Sequence, residues 1–209
     1  MVYRFDFIEK GVAPASVIDL YVDTDFAGCR ETRRSTSGGV AMVGSSSIKH
    51  WSKTQPTIAL SSGEAELIGI GAGIAQGLGI RSICQDLGYD YTLRIHSDAT
   101  AAIGIARRRG MGKIRHLDCT DLWVQEVVRS GRAELVKVLG SENPADILTK
   151  FVEAPLLKKM LSKMGMLKME GRAACAPTIA GGETSSPDHQ LTSPEDSLAG
   201  RTRGKQVKP

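Results

Sequence analysis

Apolar residues in this chain recur in short runs that alternate with longer stretches of helical spacing, and this alternation continues to about residue 170. Ile18 to Val22 form a brief apolar run suited to a strand, closed by Asp23 and Asp25. Ser37 to Ser45 and Ser47 to Thr54 read as two further strands joined by a tight turn at Gly44 to Ser46. A long helical pattern follows from Ser61 to Asp86. Ser61 or Ser62 is placed to cap it, Glu64 sits in its first turn, and Gly88 lies just past its end. Gly69, Gly71, Gly73, Gly77 and Gly79 interrupt this helix, each costing up to about 1 kcal/mol relative to Ala. Close packing against a sheet and relaxed selection would both account for them. A strand at Thr92 to His96, helices at Ala99 to Arg109 and Leu117 to Arg129, a strand at Ala133 to Leu139 and a helix starting near Asn143 follow. Pro155 to Leu167 fits a last amphipathic helix with Pro at its start. Hairpin-linked strands followed by α/β crossovers predict an α/β fold: a five-stranded mixed sheet flanked by helices.

Composition changes this picture mainly at the C-terminus. The stretch 171–209 is rich in Gly, Pro, Ser and Thr and has no aromatic residue. Its few large aliphatic side chains could not offset the entropy of ordering it, so it is expected to be a disordered tail. The expected organisation is then an N-terminal lead-in over 1–18, a domain over 19–152, an amphipathic helix over 153–170 packed on or beside it, and the tail. Over the 209 residues, 41% are hydrophobic, enough for one core. No run reaches the about 18 consecutive apolar residues that mark a membrane span, so no membrane partner is expected. MVYRFDFIEK carries charges where a signal peptide is apolar. The four cysteines are widely spaced, as free thiols of a reducing compartment would be, and a cytoplasmic or nuclear location is expected. The net charge of +4 is compatible with a polyanionic partner without requiring one.

Candidate chemistry lies in acids placed at strand ends and in first helical turns. Asp23 (YVDTD), Glu66 (SSGEAEL), Asp98 (RIHSDAT) and Asp146 (ENPADILTK) each adjoin an apolar stretch, where a lone charge is costly. Taken singly, each admits a plain role: Asp98 as a helix cap, Glu66 and Asp146 as partners of a helix dipole. Asp25, Glu64 and Asp86 read as surface or capping acids. As a set, the four carboxylates would repel one another unless a divalent cation neutralised them, and oxygen ligands without His or Cys point to Mg²⁺ or Mn²⁺.

The segments YVDTDFAGCRETRRSTSGGVAMVG, IKHWSKTQPTIALSSGEAELI, IHSDATAAIGIA, KIRHLDCTDLWVQEVV and ADILTK, the last followed by the helix ending KMGML, occur in one order and cover about Asp19 to Leu167. In these strings the chain resembles the ribonuclease H domain of the Pol polyprotein of copia-type LTR retrotransposons, here as a stand-alone fragment. The resemblance implies the ribonuclease H-like fold and places the family's four metal-binding carboxylates on Asp23, Glu66, Asp98 and Asp146. It implies two Mg²⁺ ions, with Mn²⁺ as a substitute, about 4 Å apart. The implied activity is endonucleolytic hydrolysis of the RNA strand of an RNA–DNA hybrid during reverse transcription. The alternative is a catalytically silent remnant that only binds nucleic acid. A reverse transcriptase domain of the parent polyprotein is the implied protein partner.

Recognition of RNA calls for contacts to 2′-hydroxyls and phosphates. Ser35, Thr36, Ser37 and Gly38, together with Ser61 and Ser62, are candidates for this, as are Arg34, Thr100, Arg115 and His116, the last at a position that matches the family. Arg30, Arg33 and Arg34 form one basic group; Arg107, Arg108, Arg109, Lys113 and Arg115 form another. Either could hold a duplex or simply be solvated. Trp51 and Trp123 are expected in the core. The sequence departs from the family in having Phe26 where Trp is common, SDATAAI in place of an acidic string, and a GSEN loop without the His that cellular ribonucleases H carry there.

Overall fold

The computed structural model describes residues 2–3, 16–110 and 119–167. Along the chain the strands are β1 (Val2–Tyr3), β2 (Val17–Asp25), β3 (Thr36–Val43), β4 (Ser46–Thr54), β5 (Thr92–Ser97), β6 (Glu134–Lys137) and β7 (Met166–Leu167). The helices are α1 (Ser62–Asp86), α2 (Thr100–Arg107), α3 (Cys119–Arg129) and α4 (Ala154–Lys163), and two 3-10 turns, Gly140–Glu142 and Pro144–Leu148, link β6 to α4. Five strands form one sheet in the order β4-β3-β2-β5-β6. β3 runs antiparallel to β2 and β4, whereas β5 is parallel to β2 and to β6. This order, with only β3 reversed in the interior and helices packed on the sheet, is the ribonuclease H-like α/β fold expected from the sequence.

The strand period explains the central element. In β2, Ile18, Leu20 and Val22 are buried on one face beneath α1, while Asp19 and Tyr21 point to the other. β4 exposes Lys49, His50 and Lys53, charges that suit the edge strand of the sheet. The main core gathers β2, β5, α1, α2 and α3 around Ile70, Ile74, Ile95 and Val124. A smaller cluster on the opposite face packs Val40 and Met42 against Ala145, Met164 and Met166. Trp51 and Trp123 both pack on the main core but are only half-buried, so they form its rim. α1 is the one helix among the described residues long and apolar enough to cross a membrane by length and composition. Here its Ala65, Leu67, Ile70 and Ile74 are buried within the core instead.

Four glycines of α1 divide into two kinds. A Cβ on Gly69 would lie 2.5 Å from Thr24 Oγ1, on Gly73 2.6 Å from Val22 Cγ1, and on Gly77 2.5 Å from Leu93 Cδ1. These three form a stripe at four-residue spacing that lets the helix backbone lie against the sheet, which places Glu66 beside the strand ends. Gly79 meets nothing within 4 Å. Gly73→Ala is therefore expected to lower stability by about 1–3 kcal/mol through overpacking, despite the better helix propensity of Ala. Gly79→Ala should raise it by up to about 1 kcal/mol. Chemical denaturation of both variants checks the pair, and equal effects would contradict this division.

Several boundaries differ from the sequence expectation. The helix expected near Asn143 is a 3-10 turn, because its first residues are tied to β2 rather than free to wind on. The last helix stops at Lys163. Gly165 follows with φ of +69°, and Met166–Leu167 then form a strand that pairs with Val2–Tyr3. The expected lead-in thus contributes a strand, and it starts β2 one residue early, at Val17. α2 ends at Arg107, two residues short of the expected Arg109. The start of the helix at Leu117 and the tail at 171–209 lie outside the described residues.

Candidate metal centre

Three elements end at one point. β2 delivers Asp23, opposite Gly38 of β3. Asp98 follows the last residue of β5. Glu66 sits in the opening turns of α1, whose start is secured by reciprocal capping: Glu64 N–H donates to Ser61 Oγ at 3.2 Å, and Leu60 N–H donates to Glu64 Oε2 at 2.8 Å. Carboxylate oxygens of Asp23, Glu66 and Asp98 lie within 4.8 Å of one another. Asp98 is not a helix cap, because the residue preceding α2 is Ala99 and no side chain caps that end. The backbone of Gly140 closes on Asp98, where a Cβ would lie 2.9 Å from Oδ2.

Burial sets the electrostatics of the centre. Asp23 is 1% exposed. Its carboxyl is raised above the usual range, first by burial and then by the charges of Asp146 and Asp98, against the opposing pull of the Thr149 hydroxyl and Lys150. Glu66 is pushed up to about 8 by burial and by the charges of Asp23 and Asp98. Its Oε2 is buried and has no hydrogen-bond partner. Clustered acids with an orphaned buried oxygen, all hard donors, fit a divalent cation of the Mg²⁺ or Mn²⁺ type held by Asp23, Glu66 and Asp98.

Asp146 lies beside this triad rather than within it. Asn143, fully buried, donates from Nδ2 to the Val22 carbonyl at 2.8 Å and accepts from Ala145 N–H at 3.1 Å. That pair of bonds pins the 3-10 turn Pro144–Leu148 to the strand carrying Asp23. Gly38 completes the fit, since a Cβ there would lie 2.9 Å from both Leu148 Cβ and Thr149 Cγ2. From the same segment Thr149 Oγ1 donates a short hydrogen bond to Asp23 Oδ2. Lys150 Nζ lies 2.6 Å from Asp146 Oδ1 and 3.5 Å from Asp23 Oδ2. Thr149 and Lys150 were not singled out by sequence reasoning, although both stand in the ADILTK string. Only the fold shows that they reach Asp23.

The expected substrate-side residues separate by burial. Ser35 is fully buried and its Oγ accepts from Ala27 N–H at 3.0 Å. Ser37 is buried and its Oγ accepts from Gln55 Nε2 at 2.8 Å. With Gly38, these two build the scaffold; their side chains do not face solvent. Arg34, Ser61, Ser62 and Thr100 are exposed, and Thr36 is half-buried. Thr100 Oγ1 accepts from Lys137 Nζ at 2.6 Å. Of the second basic group, Arg107 is tied to the Leu135 carbonyl at 2.7 Å. Lys113, Arg115 and His116 lie outside the described residues.

Sheet order, strand directions and the acids gathered at the ends of β2 and β5 define an α/β domain of the ribonuclease H-like fold. No family model matches the chain. Its sequence relatives include retrovirus-related Pol polyproteins from transposons of plants. It is 30% identical over 134 residues to that of transposon TNT 1-94 of Nicotiana tabacum, covering 63% of this chain and 10% of the polyprotein. It is 26% identical over 166 residues to that of transposon RE1 of Arabidopsis thaliana, covering 78% of this chain and 11% of the polyprotein. The chain thus spans about a tenth of the length of these relatives. Among solved structures, the N-terminal RNase H domain of a Mycobacterium tuberculosis protein superposes with a TM-score of 0.44 at 16% identity, covering 70% of this chain and 97% of that one.

Proposed function

We propose that this chain is a divalent-metal-dependent endonuclease that hydrolyses the RNA strand of RNA–DNA hybrids, acting in reverse transcription of a copia-type retrotransposon. The observation that carries this reading is the triad of Asp23, Glu66 and Asp98, whose oxygens converge within 4.8 Å from three separate elements. A bound Mg²⁺ or Mn²⁺ would supply an activated water and a counter-charge for the departing oxygen. Asp23, held by the Thr149 hydroxyl at Oδ2, would be the orienting ligand. Glu66 must give up its proton to serve, which its burial and the surrounding carboxylates oppose until a cation is present. Asp146 contributes from the neighbouring turn.

Exposed Arg34, Ser61, Ser62 and Thr100 flank these elements and are the proposed contacts to phosphates and 2′-hydroxyls; Arg115 and His116 are proposed with them. A reverse transcriptase domain of the parent polyprotein is the proposed partner, in the cytoplasm or nucleus.

The test is cleavage of an end-labelled RNA–DNA hybrid by the full chain with Mg²⁺. Hydrolysis confined to the RNA strand, leaving 5′-phosphate and 3′-hydroxyl ends and abolished by EDTA, is expected. A folded protein that retains hybrid with a salt-dependent affinity yet leaves the RNA intact would overturn the nuclease assignment and establish a binding module instead.

A further inference from the structure

Lys150 is not explained by the triad alone. It follows the 3-10 turn Pro144–Leu148, and its own N–H donates to the Asp146 carbonyl at 3.2 Å, the i to i−4 bond of a single α-helical turn. From there its ammonium reaches two carboxylates from different parts of the chain: Asp146 Oδ1 at 2.6 Å and Asp23 Oδ2 at 3.5 Å. An ordinary surface ion pair would engage the neighbouring Asp146 and stop. This one also engages the nearly fully buried Asp23, an acid whose carboxylate lies within 4.8 Å of those of Glu66 and Asp98.

We propose that the Lys150 ammonium is a tethered counter-cation of the centre: it neutralises the Asp23–Asp146 pair when no divalent ion is bound, and a divalent ion reaches that pair only by displacing it. The proposal rests on the reading of Asp23, Glu66 and Asp98 as metal ligands. Among the described residues Lys150 forms an ion pair with the triad at Asp23 alone, at 3.5 Å, and acts on Glu66 only through its charge, so the triad is open to a first ion. The Asp23–Asp146 pair already has a cation within ion-pair distance of both oxygens, so a second ion must compete with it. Two positive charges cannot share that space without mutual repulsion that the local, partly desolvated setting does little to screen. Lys150 is half-exposed on a long flexible stem, so it can swing into solvent when displaced. The protein would therefore have ions of unequal affinity, with occupancy of the weaker position governed by a residue that is not itself a ligand.

The experiment uses the full chain and Mn²⁺ alone, followed by calorimetry and by the signal of free Mn²⁺ in electron paramagnetic resonance. Lys150→Met is expected to tighten the weaker Mn²⁺ site about tenfold while lowering the melting temperature in EDTA, since two carboxylates lose their counter-cation. Lys150→Arg, which keeps the charge, should restore wild-type values for both. Lys49→Met, which removes a positive charge from a lysine bonded to Gln76, should leave the isotherm unchanged. Isotherms and EDTA melting curves of Lys150→Met that coincide with the wild type would overturn the proposal while leaving the metal-centre reading intact. A wild-type protein that binds no Mn²⁺ would overturn that reading, and the proposal with it.

Discussion

Asp23→Asn and Asp98→Asn are each expected to lower Mg²⁺-dependent hydrolysis of a hybrid by about a hundredfold or more, while the protein remains folded. Asn has nearly the shape of Asp but lacks the charge that would hold a divalent cation. The two acids arrive on different strands, and their oxygens converge with those of Glu66 within 4.8 Å, so loss of either opens the triad. The folding control has a definite sign. The buried Asp23 carboxyl is raised by burial first, which means that its ionised form is costly in the metal-free protein. Removing that charge relieves the cost, and the melting temperature of Asp23→Asn in EDTA should equal or exceed that of the wild type. Single-turnover cleavage alongside thermal denaturation separates lost chemistry from lost structure. Retention of full activity by either variant would contradict the proposed centre.

The metal-free protein is expected to lose stability as pH rises from about 5 to about 8. Glu66 moves from an ordinary 4.5 to about 8 in the fold, through burial and the charges of Asp23 and Asp98. Between those values Glu66 is more protonated in the folded chain than in the unfolded one, so its contribution to stability is complete below 4.5 and is lost as it ionises. Asp23 is raised as well and contributes with the same sign. Melting curves in EDTA should therefore drop by several degrees across this range. Mg²⁺ should reverse the drop at the alkaline end, where the ligands are ionised. Glu66→Gln should flatten most of the pH dependence, since the amide cannot ionise. A flat EDTA profile in the wild type would show that the carboxylates are not electrostatically coupled in this way.

How much of this was legible beforehand differs from element to element. The period-2 run at Ile18 to Val22 and the long helix with Ser61 at its head were readable because they are local: burial follows the alternation, and Ser61 caps α1. The short strand pair of Val2–Tyr3 with Met166–Leu167 was not, because its partners lie at opposite ends of the described chain and each run is too short to show a period. Asn143 looked like the start of a helix; the buried bonds it makes to Val22 and Ala145 turn the segment into an anchor. Ser35 and Ser37 looked like hydroxyls available to a ligand, since nothing in their neighbourhood in sequence reveals that Ala27 and Gln55 occupy them.

By itself the sequence determined the α/β alternation and the four acids, because strand and helix periods and strand-end positions are written within a few residues of each other. The tertiary structure decided which acids meet, and it did so through distances that no local pattern encodes. Asp23, Glu66 and Asp98 converge because glycines at positions 69, 73 and 77 let α1 lie against the sheet. Asp146 stands next to them with Lys150 between, because Asn143 and Gly38 fix that turn against β2 and β3. Charge repulsion and desolvation depend steeply on separation and burial, and both are properties of the packed chain.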